Sequence, residues 1–495
     1  MVYRPALTVR PILLFAAVAI AAAPAIVAQA QDNPGGGVPD AFDVQTLLEE
    51  LRATQQEVKS LTREVHELRA ENGDNWMTEK RANEIRSIVG DVLADADQRA
   101  SLLQGGMTAG WDNGFFLSSN DGNFLLALDG QIQFRWIYNW HNDTDDNHRQ
   151  GFEIPRAKLT FRGHIMNRDL TYLIRMDQTR NEPSLVNGLY FLQDAWVRYQ
   201  LTDNMALRFG QFKLPFGREE LVASSYQLAV ERSLLNENTN LGRSQGVEFQ
   251  YDMPNARFAV AISDGATDNL GGFNAIIEPG GAPLNSSALT RDVELTATAR
   301  VDLKLAGTWE QFADFTSPPD DPFGLLVGGA FHYELGEHGT AGADDEEEWF
   351  GVTFDVSAEF GGANLFASAV YHHVDSNLIN NDVTVEAYGF VLQGGYYFTE
   401  NIEVFGRYEW GQFMFSAANF ATPTLNVATI GVNYYLNPER RHDAKITADI
   451  GFSFDPIARA GSVSPAFASD LAGYREDSRT SEHQIVFRLQ YQLRF

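Results

Sequence analysis

Cysteine is absent from the 495 residues, so neither a disulfide framework nor a thiolate metal cage can hold this fold. Hydrogen bonding and burial must do so. Lysine is nearly absent too, confined to Lys59, Lys80, Lys158, Lys213, Lys304 and Lys445. The formal net charge of -29 excludes an extended basic face for phosphate backbones, and with it nucleic acid as a partner. Beyond the first thirty residues no apolar run is long enough to span a bilayer as a helix. Chemistry-bearing clusters are missing as well. The 10 histidines are scattered and offer no favoured grouping with a serine and an acid. His372-His373 lacks metal-ligand spacing, and the acidic run Asp344 to Glu348 lacks the ligand rhythm of a calcium loop and reads as solvated. No catalytic residue, metal or cofactor is assigned, and an enzyme is the least supported reading.

What the chain has is glycine, phenylalanine and tyrosine: Gly 42, Phe 34 and Tyr 17, as turns and aromatic belts require. Its last stretch alternates without a break. Ile485, Phe487, Leu489, Tyr491, Leu493 and Phe495 fall on one face, and Val486, Arg488, Gln490, Gln492 and Arg494 on the other. A large apolar face ending in an aromatic reads as a membrane β-strand with lipid on one side and a wet lumen on the other. At the start, Arg4 and Arg10 precede an apolar run from Ile12 to Ala23, with Ala28-Gln29-Ala30 for cleavage. This is a signal peptide over 1–30, which sends the chain out of the cytoplasm.

The expected organisation follows. Residues 31–43 are a breaker-rich tether. Over 44–72, Val44, Leu47, Leu51, Thr54, Val58, Leu61, Val65 and Leu68 recur at spacings of three and four, a coiled coil of about four heptads or a single amphipathic helix. The span 73–109 is a helical spacer. From 110 to 495 the period becomes two, with sixteen strand candidates and connections that alternate short and long, the signature of an outer-membrane barrel. The fold class is therefore an all-β transmembrane barrel of about sixteen antiparallel strands, preceded by an α-helical arm. An even count with both ends on the short-turn rim puts that arm in the periplasm. The segment 302–324, with Pro318-Pro319, is too long for the turn due there and could hide a further strand.

Sorting strands by face separates the charges. Arg135, Arg156, Lys158, Arg162, Arg175, Arg198, Arg208, Arg488 and Arg494 would line one contiguous wall of the lumen, because the last strand pairs with the first. Glu294, Glu334, Asp355, Glu359, Glu403, Glu409 and Asp449 would line the opposite wall. Facing walls of opposite sign create a transverse field; the alternative is that these groups only pair locally and keep the interior wet. Sixteen strands leave an aqueous channel.

The long segment from Gln211 to Gly242 is the candidate constriction. It contains Lys213-Leu214-Pro215-Phe216-Gly217-Arg218-Glu219, then Ser224-Ser225, then Glu231-Arg232-Ser233. Here the chain resembles the phosphate-selective porin O/P family. That resemblance implies a homotrimeric outer-membrane porin whose loop folds into the lumen, with Lys213 and Arg218 near the narrowest point. Pro215 and Gly217 would shape that loop, with Phe216 and Glu219 in the same motif, and Glu231 with Arg232 would anchor it. Few lysines are present for a lysine-rich phosphate site, though arginine forks suit phosphate. The expected function is passive diffusion of small hydrophilic solutes, with a preference for anions such as phosphate. The alternative is a structural anchor that links the outer-membrane lipid to the cell wall through the coiled coil.

Overall fold

The computed structural model describes residues 52–64, 87, 107–112, 114–141, 148–178, 190–266, 292–337, 346–376, 383–416, 424–457, 472–475 and 483–495. The expected signal peptide and tether lie outside them, as do most of the heptads and the spacer. The chain divides into two units, 1–102 and 103–495. In the first, residues 52–64 form a helix, α1, that leaves Val58 and Leu61 exposed. Among the described residues no helix is long and apolar enough to cross a membrane.

The second unit is a barrel. A short hairpin of β1 (Met107–Trp111) and β2 (Phe115–Ser119) precedes the strands β3 (Leu125–His141), β4 (His148–His164), β5 (Leu170–Gln178), β6 (Tyr190–Thr202), β7 (Met205–Lys213), β8 (Arg243–Asp252), β9 (Ala256–Ser263) and β10 (Asp292–Ala306). There follow β11 (Gly324–Glu337), β12 (Glu346–Glu359), β13 (Ala363–Ser376), β14 (Val383–Thr399), β15 (Ile402–Phe415), β16 (Thr424–Tyr435), β17 (Ala444–Ser453) and β18 (Gln484–Arg494). Each strand from β3 onward pairs antiparallel with the next, and β18 pairs with β3 over Gln484↔His141 to Arg494↔Gln131. The sixteen strands β3 to β18 thus form a closed, edgeless ring, the arrangement that satisfies every backbone group without water.

Side-chain alternation decides which way each strand faces. On β3, Ile132 and Phe134 are 43% and 44% exposed, while Gln133 and Arg135 between them are fully buried. The apolar residues point out to lipid and the polar ones into the lumen. The same holds on β18, where Leu489 and Tyr491 are exposed and Arg488, Gln490 and Gln492 are buried. A second apolar region, besides the lipid-facing belt, lies inside the ring. It joins Leu214, Phe216, Leu228, Leu234 and Leu235 of the β7–β8 connection to inward residues such as Phe366, Val391, Phe405, Phe413 and Val427.

Three expectations need correction. The stretch 302–324 holds no extra strand: β10 ends at Ala306, β11 starts at Gly324, and the residues between carry a 3-10 turn at Gln311–Ala313. Strand structure begins earlier than Gly110, because β1 starts at Met107, in the span assigned to the spacer. Glu294 does not join the acidic wall. The ladder of β10 with β11 steps from Val293 to Leu295, so Glu294 is the extra residue of a bulge and is exposed.

At the seam, Gly130 and Phe495 exchange backbone hydrogen bonds of 2.7 and 3.1 Å. Below that point β2 takes over as the neighbour of β3, pairing Phe115 to Ser118 with Leu128 to Leu125. A Cβ on Gly130 would lie 2.2 Å from Cζ of the Phe495 ring, so glycine at 130 is what lets that ring cross the strand. Gly130→Val should displace the ring, cost about 1–2 kcal/mol of burial, and slow the appearance of heat-modifiable folded protein. Unchanged assembly kinetics would show that the seat is unimportant.

Candidate functional site

Between Lys213 and Arg243 the chain turns into the lumen, and its sequence explains why it stays there. Phe212, Leu214, Phe216, Leu228, Leu234, Leu235 and Leu241 are each at most 2% exposed, an apolar content that would be costly on a free outer loop. Two short helices organise it, α2 (Arg218–Leu221) and α3 (Leu234–Thr239). Ser233 caps α3 by accepting from Asn236 N at 3.0 Å, and Glu219 accepts from both Ser233 N (2.7 Å) and Ser233 Oγ (2.6 Å). Arg232 donates to Glu219 O at 3.0 Å and Val222 O at 2.9 Å, and pairs with Glu220 at 3.1 Å. Lys213 pairs with Glu220 at 2.9 Å. Gly217 has φ -73° and an added Cβ would meet nothing nearer than 3.8 Å, so its backbone conformation does not itself demand glycine.

The loop is tied to the wall all round. Glu231, 1% exposed, receives a bidentate pair from Arg156 (2.8 and 2.7 Å) and a further bond from Arg135. Arg135 also contacts Glu153. Arg407 donates to Glu231 O at 2.8 Å, Lys445 to Gln227 O at 2.7 Å, and Arg300 to Phe216 O at 2.6 Å. Asp449 accepts from Val230 N at 3.0 Å and Glu409 from Leu235 N at 2.9 Å.

Most residues expected on the acidic wall are therefore at work in contacts rather than open to solvent. Besides Asp449 and Glu409, Asp355 pairs with Arg300 at 2.8 Å, and Glu334 accepts from Ala266 N at 2.8 Å. Glu403 accepts from Tyr435 (2.5 Å), Asn364 (2.9 Å) and Thr316 (3.0 Å), and Glu359 from Gln311 at 3.3 Å. The basic residues divide into two groups. Arg135, Arg156 and Arg488 are buried anchors, the last paired with Asp449 at 2.7 Å. Arg208 pairs with Glu248 at 2.8 Å, and Arg198 bonds Gln250 and Gln200 at 2.7 Å each.

The second group surrounds a cavity of about 1020 Å³ between the loop and the short-turn rim. Lys158, Arg162, Arg175 and Arg494 line it, joined by Lys213 and Arg243 from the two ends of the loop. Ser224, Ser225 and Tyr226 present the loop's side of it. Their charges are partly neutralised: Lys158 by Asp177 at 3.6 Å, Arg162 by Asp129 at 2.5 Å, and Arg175 and Arg243 by Asp194 at 3.2 and 2.9 Å. The Arg162 and Arg175 side chains nonetheless remain 47% and 30% exposed. Arg494 lies over the Tyr226 ring at 4.6 Å. Arg218, expected near the narrowest point, instead points into the wall, donating to Ser357 Oγ at 2.8 Å.

Glu310, Asp314 and Asp321 from the β10–β11 connection and Glu439, Arg440, Arg441, His442 and Asp443 from the β16–β17 connection complete the cavity. Burial lowers the His442 pKa and Asp314 opposes that shift. Burial raises the Asp321 pKa, opposed by Arg441. The bulge opposite Phe134 brought Glu153 in beside Arg135, a partner that strict alternation hides. Arg243 was missed because it lies at the junction of loop and strand, where period two has only begun. Among the described residues no group of acids and histidines could hold a metal.

Residues 127–279 match the family model of phosphate-selective porin O and P, the family that the motif from Lys213 to Ser233 resembles. No curated protein matches the sequence. Similar solved structures include an anion-selective porin from Comamonas acidovorans, at 12% identity and TM-score 0.47, covering 75% of this chain and 100% of that one. Another is OmpF of Salmonella typhi in complex with daunomycin, at 14% identity and TM-score 0.46, covering 78% and 100%. OmpT of Vibrio cholerae in its trimer form gives 11%, 0.45, 75% and 99%.

Proposed function

We propose that this outer-membrane porin lets small hydrophilic solutes diffuse through the space between its inward loop and the strands β3 to β8, with a preference for anions. The observation that carries this reading is the division of the arginines. Those that hold the loop are buried, while Arg162 and Arg175 keep exposed surface at a cavity lined also by Lys158, Lys213, Arg243 and Arg494. A guanidinium offers a planar donor fork to phosphate or carboxylate, so a scarcity of lysine does not prevent anion recognition. Assembly as a homotrimer, with the helical arm in the periplasm near the cell wall, completes the reading; the family resemblance supports the trimer, and the heptads support only a coiled-coil arm.

The purified protein in a planar bilayer should give a steady open current, and a KCl gradient should give a reversal potential on the anion side. A protein that inserts without conducting would sink the porin reading. A reversal potential on the cation side would remove only the anion preference.

A further inference from the structure

The connection from Gly307 to Phe323 lies on the rim where other strands are joined by stretches as short as 203–204 and 400–401. A connection of this length inside a compact domain, with only one 3-10 turn, needs a reason. It does not extend into solvent. Phe312, Phe315 and Thr316 are 4% exposed and Ser317 fully buried. The Phe315 ring packs on the inward Phe366 at 4.7 Å, and Thr316 bonds Tyr397 at 2.6 Å and Glu403 at 3.0 Å. Gly362 N donates to Ser317 O and Pro318 O, each at 3.0 Å. Asp314 reaches His442, on the β16–β17 connection, at 2.8 Å. The segment therefore runs inside the mouth, from β10 past β12 to β15 and on to the far connection.

It also meets the β7–β8 loop from beneath. Arg218 donates to Phe312 O at 2.8 Å, its guanidinium stands 5.4 Å from the centre of the Phe315 ring, and its Nε is held by Ser357. Arg218 thus keys one inward segment to the other. The free edge of the lower segment, with Glu310, Asp314 and Asp321, borders the same cavity as Lys158, Arg162 and Arg175.

From this placement we propose that residues 308–322 are a second constriction element at the short-turn rim. They confine the path to a crescent along the basic strands and give it an acidic edge that moderates anion preference. Arg218 is the positioning residue that joins the two elements. The proposal rests on the porin reading above, and the experiment separates the two.

In the full-length protein, residues 309–321 are replaced by a short Asn-Gly turn, and a second variant carries Glu310→Gln, Asp314→Asn and Asp321→Asn with the segment otherwise intact. Single-channel conductance and reversal potential in a KCl gradient are compared with the parent protein. The replacement should raise conductance about two-fold by widening the mouth, and both variants should move the reversal potential further to the anion side, more so at low salt. If the shortened protein folds and neither quantity moves, the proposal is overturned. Should it fail to fold, the triple variant decides: a shift toward anions supports the acidic edge, and no shift overturns it. If the parent protein itself is silent, the porin reading fails, and the lower segment is judged by whether shortening it opens a current. A current then supports it as an obstruction, and continued silence overturns it.

Discussion

Glu231→Leu should release the inward loop from its wall and turn a quiet channel into a larger, noisier one. The carboxylate is 1% exposed and holds two guanidinium groups from neighbouring strands. Arg156 would lose both arms of a bidentate pair and Arg135 its bond to the same carboxylate. Removing one partner from a buried pair costs about 3–5 kcal/mol, because the remaining charge stays in a poorly solvated place. The barrel ladder does not include Glu231, so the cost falls on the loop. The expected result is cleavage between 214 and 242 under limited proteolysis and a higher, fluctuating conductance, with heat-modifiability of the barrel retained. Glu231→Gln, which keeps one acceptor oxygen of the two, should show a smaller effect. An unaltered current trace in the leucine variant would mean that the apolar contacts of Leu228, Leu234 and Leu235 hold the loop unaided.

Replacing Lys158, Arg162, Arg175 and Arg494 together by Gln should shift the reversal potential toward cations. All four border the cavity and none touches Glu231 in the contacts described above. At several ångströms in a confined, partly aqueous space each charge contributes on the order of 1 kcal/mol to the energy of a passing ion. Screening sets in beyond roughly 10 Å at 0.1 M salt, so the shift should grow as salt is lowered. Arg488→Gln is the informative control. It removes one cation as well, but from an anchor that is 1% exposed and paired with Asp449. It should lower the unfolding temperature and leave the reversal potential nearly unmoved. If the control shifted selectivity as much as one of the four cavity residues does on average, the division into anchors and cavity cations would be wrong.

The alternation that reveals the barrel is a local property, since each lipid-facing residue must be apolar whatever its distant partners are. That is why β3 to β18, the closure of β18 on β3 and the lipid-facing sides of β3 and β18 could be read directly from the chain. The interior obeys no such rule. Inward positions such as Phe405, Phe413 and Val427 are apolar because they meet Leu234 and its neighbours, residues some two hundred positions away. Bulges add a second source of error. The irregularity on β4 hides Glu153 beside Arg135, and the one on β10 turns Glu294 from a wall residue into an exposed one. The supposed surplus of strand between 302 and 324 was a segment folded inward, and its cue was the burial of Phe312 and Phe315, which no periodicity reports. Which charges hold the loop and which face the cavity depends on contacts such as Asp449 with Val230 N, set by a loop whose path alternation cannot trace.

The closing seam has a kinetic meaning. Gln492 bonds Gln133 across 359 positions of sequence, so the ring acquires its final pair only when strands made far apart in time come together. Until then β3 and β18 each present a row of unpaired amides and carbonyls, the kind of edge that recruits other chains. Contacts of such span carry a heavy loop-closure entropy and form slowly. The molecule therefore has a long interval in which it is safest unpaired and kept away from its own kind. Covering either edge during that interval should suppress self-association, and pairing the two edges is the step that removes the hazard.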